Sequence, residues 1–467
     1  MTRPAKYSSM HALRRAPLLL VLLSAAGCDS LGVTDPNNPG LSTLTENPTR
    51  SAVANAATGL LIGARTGMFE QNGFISLLGI MGRESYNFDP ADPRFVTEML
   101  IGPLDGGSPA FGGNLFEDPY ANIRNANIVL AATDAVPGVT DTEKEAIRGF
   151  AKTIQALDYL NVIVTRQDNG APIDVDRDPT AEPAPIATEA EVYTHIVTLL
   201  DAARTHLLAG GADFPFRLSS GFAGFDTPAT FLRFNRALRA RVAVYLGDFA
   251  GALAALGESF LDTAAPLDLG VYHVFSTASG DQTNQLFDPD ARALFAHPSI
   301  LAGAQLQPGG APDRRALEKV APVTPKTVQN ITATERLTVY GSTTDPVPII
   351  RNEELILLRA EANIGLGLLP DAVPDINVVR VAAGGLAPIV AFASPAEALD
   401  ELLYNRRYSL LFEGGHSWID AQRYGRLGTL PQDLPEHRRF QKFPFPIDEC
   451  LARAAPPATG CSPEPGI

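Results

Sequence analysis

One tryptophan, three cysteines and 7% aromatic residues in a chain of 467 leave few of the side chains that build metal centres or broad aromatic platforms. Neither a His-Glu-x-x-His helix, a Walker loop nor a Gly-x-Ser-x-Gly elbow occurs, so the common zinc-peptidase, P-loop and serine-esterase signatures are missing. No metal, cofactor or catalytic residue is expected. Positive charge is short as well: 37 Lys and Arg stand against 52 Asp and Glu, a formal net charge of −15. Phosphate backbones repel such a chain, and nucleic acid is not expected as a partner. Beyond residue 26 no apolar run approaches the roughly 20 residues that a membrane-crossing helix needs. What is present, 45% hydrophobic and 19% charged residues, is the composition of a globular body large enough to bury a sizeable core.

The N-terminus supplies the first positive signal. Arg3, Lys6, Arg14 and Arg15 precede an apolar stretch from Ala16 to Ala26, and small residues then lead to Cys28. A charged region, a short apolar region and a small-residue cleavage site make a signal peptide over residues 1–27. Leu23-Ser24-Ala25-Ala26-Gly27-Cys28 reads as a lipobox, with Cys28 the acylated first residue of the mature chain. The remaining cysteines, Cys450 and Cys461, form an even pair in an exported chain, which points to a disulfide closing a small loop. Two reduced thiols are the alternative. A structural zinc site would need a second ligand pair that the spacing lacks.

Residues 28–49, with Asp35-Pro36-Asn37-Asn38-Pro39-Gly40, hold too little apolar content to pack and read as a tether; residues 50–467 follow as one domain. Its signals are mostly helical. Capping boxes, in which a hydroxyl and a carboxylate satisfy free helix-terminal amides, are expected at Thr142 with Glu145, Thr188 with Glu191 and Ser394 with Glu397, and Thr227-Pro228 starts a further helix. Two helices echo each other. Gly247 and Gly367 each end a helix, and Ala252 and Ala372 follow five residues later. Glycine tolerates the left-handed turn and alanine lets antiparallel helices approach, the spacing of a tetratricopeptide-type hairpin. Residues 68–118, 208–226 and 268–350 follow no period and are expected as long loops over one face of the helical scaffold.

The C-terminal half carries a spaced set of motifs. Arg351-Asn352-Glu353-Glu354 leads into Leu355-Ile356-Leu357-Leu358-Arg359-Ala360-Glu361-Ala362; Asn405-Arg406-Arg407-Tyr408 leads to Glu413-Gly414; and Trp418-Ile419-Asp420-Ala421-Gln422-Arg423-Tyr424-Gly425 follows. Upstream, Pro119-Tyr120-Ala121-Asn122-Ile123-Arg124-Asn125-Ala126-Asn127 and the helices around Glu145, Glu191 and Thr230 keep the same order, and Phe443-Pro444-Phe445-Pro446-Ile447 closes the series. In order and spacing this resembles the SusD/RagB family of surface lipoproteins. Asn405 and Ser409 stand where the family usually has acids, Ser417 where Arg is common, and Gly414-Gly415 adds a glycine; these departures bear on local ion pairing.

The resemblance implies a mainly α, tetratricopeptide-like scaffold whose loops form a ligand-binding face. It also implies a non-catalytic lipoprotein of the outer-membrane surface that passes an oligosaccharide or peptide to a TonB-dependent, SusC-like barrel. In the family the positions matching Arg406, Arg407, Glu413, Asp420 and Arg423 hold the helical core together. Trp418 and His416 are read as core residues, the latter hydrogen-bonded. A lipid-anchored helical-repeat adaptor that assembles envelope proteins is the alternative. Loop position and residue type, not a family motif, mark Tyr86, Asn87 and Phe88 in the first long loop and Tyr272 and His273 in the later one as candidate ligand contacts. The same residues are equally expected to pack beneath the loops.

Overall fold

The computed structural model describes residues 41–107, 113–178, 180–457 and 459–467. Its helices run α1 Leu41–Thr45, α2 Arg50–Gly63, α3 Phe74–Met81, α4 Arg94–Thr97, α5 Asn114–Ala135 and α6 Asp141–Arg166. They continue with α7 Glu189–Ala209, α8 Pro228–Tyr245, α9 Phe249–Gly257, α10 Ser299–Ala302 and α11 Arg314–Lys319. The last five are α12 Asn352–Gly365, α13 Leu369–Ala382, α14 Pro395–Ser409, α15 His416–Arg423 and α16 Ile447–Leu451. Each long helix packs on its neighbour in sequence from α5 to α9; α9 then meets α12, which packs on α13 and α14. This is the expected helical-hairpin scaffold.

Local chemistry sets the helix ends. Thr188 accepts from the Glu191 amide while the Glu191 carboxylate accepts from the Thr188 amide, 2.8 Å away. Thr227 caps α8 through Thr230, with Pro228 at the first helical position. Ser394 caps α14 through the Glu397 amide, although the Glu397 carboxylate accepts from Ala393 instead. The box at α6 is Thr140 with Glu143, not Thr142 with Glu145. Both pairs satisfy the spacing; the earlier one places Asp141 and Glu143 in the first turn, where the helix dipole favours negative charge.

The two echoing hairpins are built alike. Gly247 and Gly367 adopt φ of 71° and 76°. The Asp248 amide donates to the Ala243 carbonyl and the Leu368 amide to the Asn363 carbonyl, the long reverse bond of a Schellman cap. Ala252 and Ala372 are fully buried at the helix crossings. The hairpins also touch each other: Phe249 lies so close to Gly365 that an added Cβ there would sit 2.2 Å from its ring.

The long aperiodic segments carry short elements. Antiparallel pairs join β1 (Ser85–Asn87) to β5 (Leu294–Ala296), β4 (Gly270–His273) to β8 (Val347–Arg351), and β6 (Val320–Val328) to β7 (Ile331–Leu337). A further short pair joins Ala171–Pro172 to Ile186–Ala187. Helix α3 is buried along its whole length, so it shows no amphipathic period for the sequence to reveal. The end of the expected tether differs as well: Leu41–Thr45 is helical and Leu44 is buried in the main core. Residues 28–40 lie outside the described residues.

Ionic pairs tie the C-terminal helices together. Arg406 on α14 bonds Asp420 on α15 at 2.7 Å and Glu361 on α12 at 3.2 Å. Arg423 closes the ring to Glu361 at 2.6 Å and Asp420 at 3.1 Å, and the Tyr424 hydroxyl donates to Glu361 at 2.6 Å. Burial alone would raise the Glu361 carboxyl, but Arg423 and Arg406 outweigh it and hold it below the usual range. Close by, Arg241 clasps Glu354 and donates to the Ile349 carbonyl, each at 2.7 Å. Trp418 is fully buried and its indole N–H donates to Phe440 at 2.8 Å. Arg407 reaches Ser299 at 2.7 Å. These groups are consumed by the core, as the resemblance implied. His416 differs from expectation: it is buried, burial pushes its pKa down to about 3, and Nδ1 finds no partner among the described residues.

Two measurements test this core. Arg406→Ala leaves Glu361 and Asp420 short of a partner in a buried site, and urea unfolding should show a loss of roughly 3–5 kcal/mol. Glu84 is the second case. Burial raises its carboxyl from 4.5 to about 8, against the opposing Phe412 amide and Arg407. Between those values the folded chain holds a proton that the unfolded chain has released, so stability falls as pH rises through that window and is level above it. In Glu84→Gln that contribution is gone. The wild-type urea midpoint should therefore drop relative to the variant between about pH 5 and pH 8, and parallel midpoints would contradict the assignment.

Candidate functional site

Strand β8 runs directly into α12 and pairs with β4, which carries Tyr272 and His273. Beyond β4 the chain turns past Phe275 to Asp281 and meets the end of α2 and the segment around Ser219. The approach is close: a Cβ at Gly221 would fall 2.0 Å from the Tyr272 carbonyl oxygen, so only glycine fits. Between these three segments lies an open cleft of about 390 Å³, within the size range of small-ligand sites. Thr58, Ile62 and Arg65 form one wall, Arg217, Ser219 and Phe222 another, and Tyr272, His273 and Asp281 the third.

Arg65 organises the floor. Its guanidinium donates to the Val274 carbonyl and to Asp281, and lies 5.5 Å from the centre of the Phe275 ring. Its buried Nε has no partner among the described residues. Asp281 also accepts from Ser276 at 2.8 Å and from the Gln282 amide at 2.9 Å. Although burial would raise the Asp281 carboxyl, Arg65, Ser276 and the Gln282 amide together hold it below the usual range. The His273 ring packs 5.0 Å from Phe69, and burial with the positive charge of Arg65 pushes its pKa down to about 3. The imidazole is neutral at physiological pH and has both a donor and an acceptor nitrogen. Tyr272 is half-buried, with its hydroxyl turned back to the Asp268 carbonyl. Such a wall offers ring faces, hydroxyls, an imidazole and guanidinium groups, but no nucleophile paired with a base.

The other sequence candidates do not reach this cleft. Tyr86, Asn87 and Phe88 form β1 and its flank and are 1–2% exposed. The Tyr86 ring stacks on Phe88 at 5.2 Å, Phe88 packs on Phe295 at 5.3 Å, and the Asn87 amide donates to Gln71 at 2.9 Å. Pairing with β5, some two hundred residues later, covers them. They are core residues and present no face to a ligand. Missed from the sequence were Arg65, Arg217 and Ser219. Arg65 sits at a helix end and the other two in an aperiodic loop, and only the tertiary fold brings them beside β4.

A second cleft, about 540 Å³, opens between α5 and the C-terminus and is lined by Phe116, Tyr120, Arg124, Pro446, Glu449 and Arg453 among others. Cys450 and Cys461 are joined beside it, with Cα atoms 5.8 Å apart. Its inner polar groups are spent on structure. Tyr120 donates to Pro172 at 2.6 Å, and Arg453 holds Glu449 and the Ala184 carbonyl. A third, partly open space of about 50 Å³ beside His416 and Glu413 is too small for a ligand. The cleft at β4 is therefore the candidate functional site.

No family model matches the chain, and no curated protein matches it. Solved structures do. A SusD superfamily protein from Bacteroides vulgatus ATCC 8482 superposes with a TM-score of 0.66 at 14% identity, covering 86% of this chain and 97% of that one. A SusD-like carbohydrate binding protein from Bacteroides fragilis NCTC 9343 gives 0.65 at 15% identity, over 82% and 87%. A laminarin binding SusD-like protein gives 0.58 at 17%, over 90% and 99%. Coverage this complete on both sides leaves one conclusion about architecture: the chain has the SusD-like fold.

Proposed function

We propose that this chain is a non-catalytic glycan-binding protein of the cell envelope, anchored by lipid at Cys28, that hands its ligand to a TonB-dependent, SusC-like barrel in the outer membrane. The observation that carries the reading is the cleft at β4 set in a SusD-like fold. It is open, of ligand size, lined by Tyr272, Thr58, Ser219 and the neutral His273, and none of its lining residues forms a nucleophile–base pair. A pyranose has an apolar C–H face that packs on an aromatic ring and a polar edge that hydrogen-bonds such groups. Solved proteins of this fold that are named for carbohydrate or laminarin binding lend the reading weight.

Anchoring rests on the sequence. The signal peptide and Cys28 lie outside the described residues, and no helix among the described residues is long and apolar enough to cross a membrane. A binding protein without an energy source cannot drive uptake, so the barrel and a TonB complex are assigned that work. Co-purification of a much larger barrel protein from gently solubilised membranes is the corresponding biochemical signature.

Titration of the full chain, purified in detergent, against glycan and peptide libraries should return glycans. Tyr272→Ala should weaken the best of them about tenfold, the cost of one lost stacking contact of roughly 1–1.5 kcal/mol. Binding of peptides alone, or undiminished glycan affinity in the variant, would overturn the assignment. Separately, Cys28→Ala should move the protein from the membrane to the soluble fraction; unchanged sedimentation with membranes would remove the lipid anchor.

A further inference from the structure

The charges lining the β4 cleft do not balance. Its guanidinium groups are Arg65 and Arg217 and its only carboxylate is Asp281. Asp281 is already taken by Arg65, Ser276 and the Gln282 amide. Arg217 stands exposed at the mouth of the cleft with no carboxylate partner among the described residues, and its own carbonyl, not its side chain, is what Thr58 bonds at 3.2 Å. Ser219, two residues on and lining the same cleft, makes no side-chain capping bond. One positive charge is thus in excess in a chain whose net charge is −15. A general field of that sign repels anions, so a local cation left unneutralised in a ligand-sized cleft is a selective feature.

Resting on the reading of this cleft as a glycan site, we infer that its ligand is an acidic oligosaccharide, with a ring carboxylate of the uronic-acid type held by Arg217 and Ser219 and the sugar ring set against Tyr272 and His273. A planar guanidinium matches a carboxylate with two parallel hydrogen bonds, and a serine hydroxyl adds a third donor. The carboxylate at Asp281 does not oppose this, because Arg65 compensates it. His273 stays neutral, which leaves it available to sugar hydroxyls and not to a second charge. In the α5 cleft, by contrast, Glu117, Asp448 and Glu449 outnumber Arg124 and Arg453, so an acidic glycan has no reason to choose it.

The test uses the full chain in detergent and calorimetric titration with oligomers of galacturonate, glucuronate and mannuronate, each paired with its carboxyl-reduced neutral counterpart. At least one acidic oligomer should bind roughly fivefold to tenfold more tightly than its neutral counterpart, the range of a partly exposed charge-assisted pair. The preference should shrink as salt is raised, vanish in Arg217→Ala, and persist in part in Arg217→Lys. Arg124→Ala, in the other cleft, should leave it unchanged. Equal binding of acidic and neutral oligomers, indifferent to Arg217→Ala, would overturn the inference while leaving glycan capture standing. Failure of every acidic and neutral glycan to bind would remove both.

Discussion

A ring of four charges, three of them buried and Arg423 partly so, holds the C-terminal helices of this molecule in place. Arg406, Arg423, Glu361 and Asp420 come from three helices and balance to zero, with every carboxylate oxygen engaged. Moving such groups out of water costs several kcal/mol each, so the set contributes little net stability and much specificity: α12, α14 and α15 can meet in only one register without stranding a charge. What depends on it is nearby in the chain. Helix α12 begins where β8 ends, β8 pairs with β4, and β4 carries Tyr272 and His273. Arg241 reinforces the joint by reaching both Glu354 and the Ile349 carbonyl. The rigid helical layer thereby fixes the floor of the cleft.

The cleft shows the complementary principle. Its walls come from segments far apart in sequence and with little regular structure of their own, joined by one close backbone approach at Gly221 and one guanidinium at Arg65. A scaffold of capped helices carrying variable loops separates stability from recognition, since loops can change side chains without disturbing helix packing. The α5 cleft is larger, yet its inner polar groups satisfy one another.

Much of the architecture was legible because it is written locally. The caps at Thr188, Thr227 and Ser394 and the glycine turns at Gly247 and Gly367 depend on residues within five positions of each other. Reading the Arg406 and Trp418 motifs as core was possible because their spacing resembles a known helical scaffold. Local rules fail where two signals compete or where distant parts of the chain decide. Thr140 and Thr142 offer equivalent boxes, and the favourable charges of Asp141 and Glu143 choose between them. Tyr86, Asn87 and Phe88 read as loop residues until β5 pairs with them and buries them.

The helical class, the hairpin repeats and most helix ends are readable from the chain alone, because capping, periodicity and glycine turns act within a few residues of one another. Long-range packing settles which aromatics are accessible, and it puts Tyr272 and His273 at a cleft and Tyr86 and Phe88 in the core. It alone joined Arg65, Arg217 and Ser219 to β4. Exposure and unspent hydrogen-bonding capacity are properties of a packed surface, and no local run of residues encodes how distant segments cover one another.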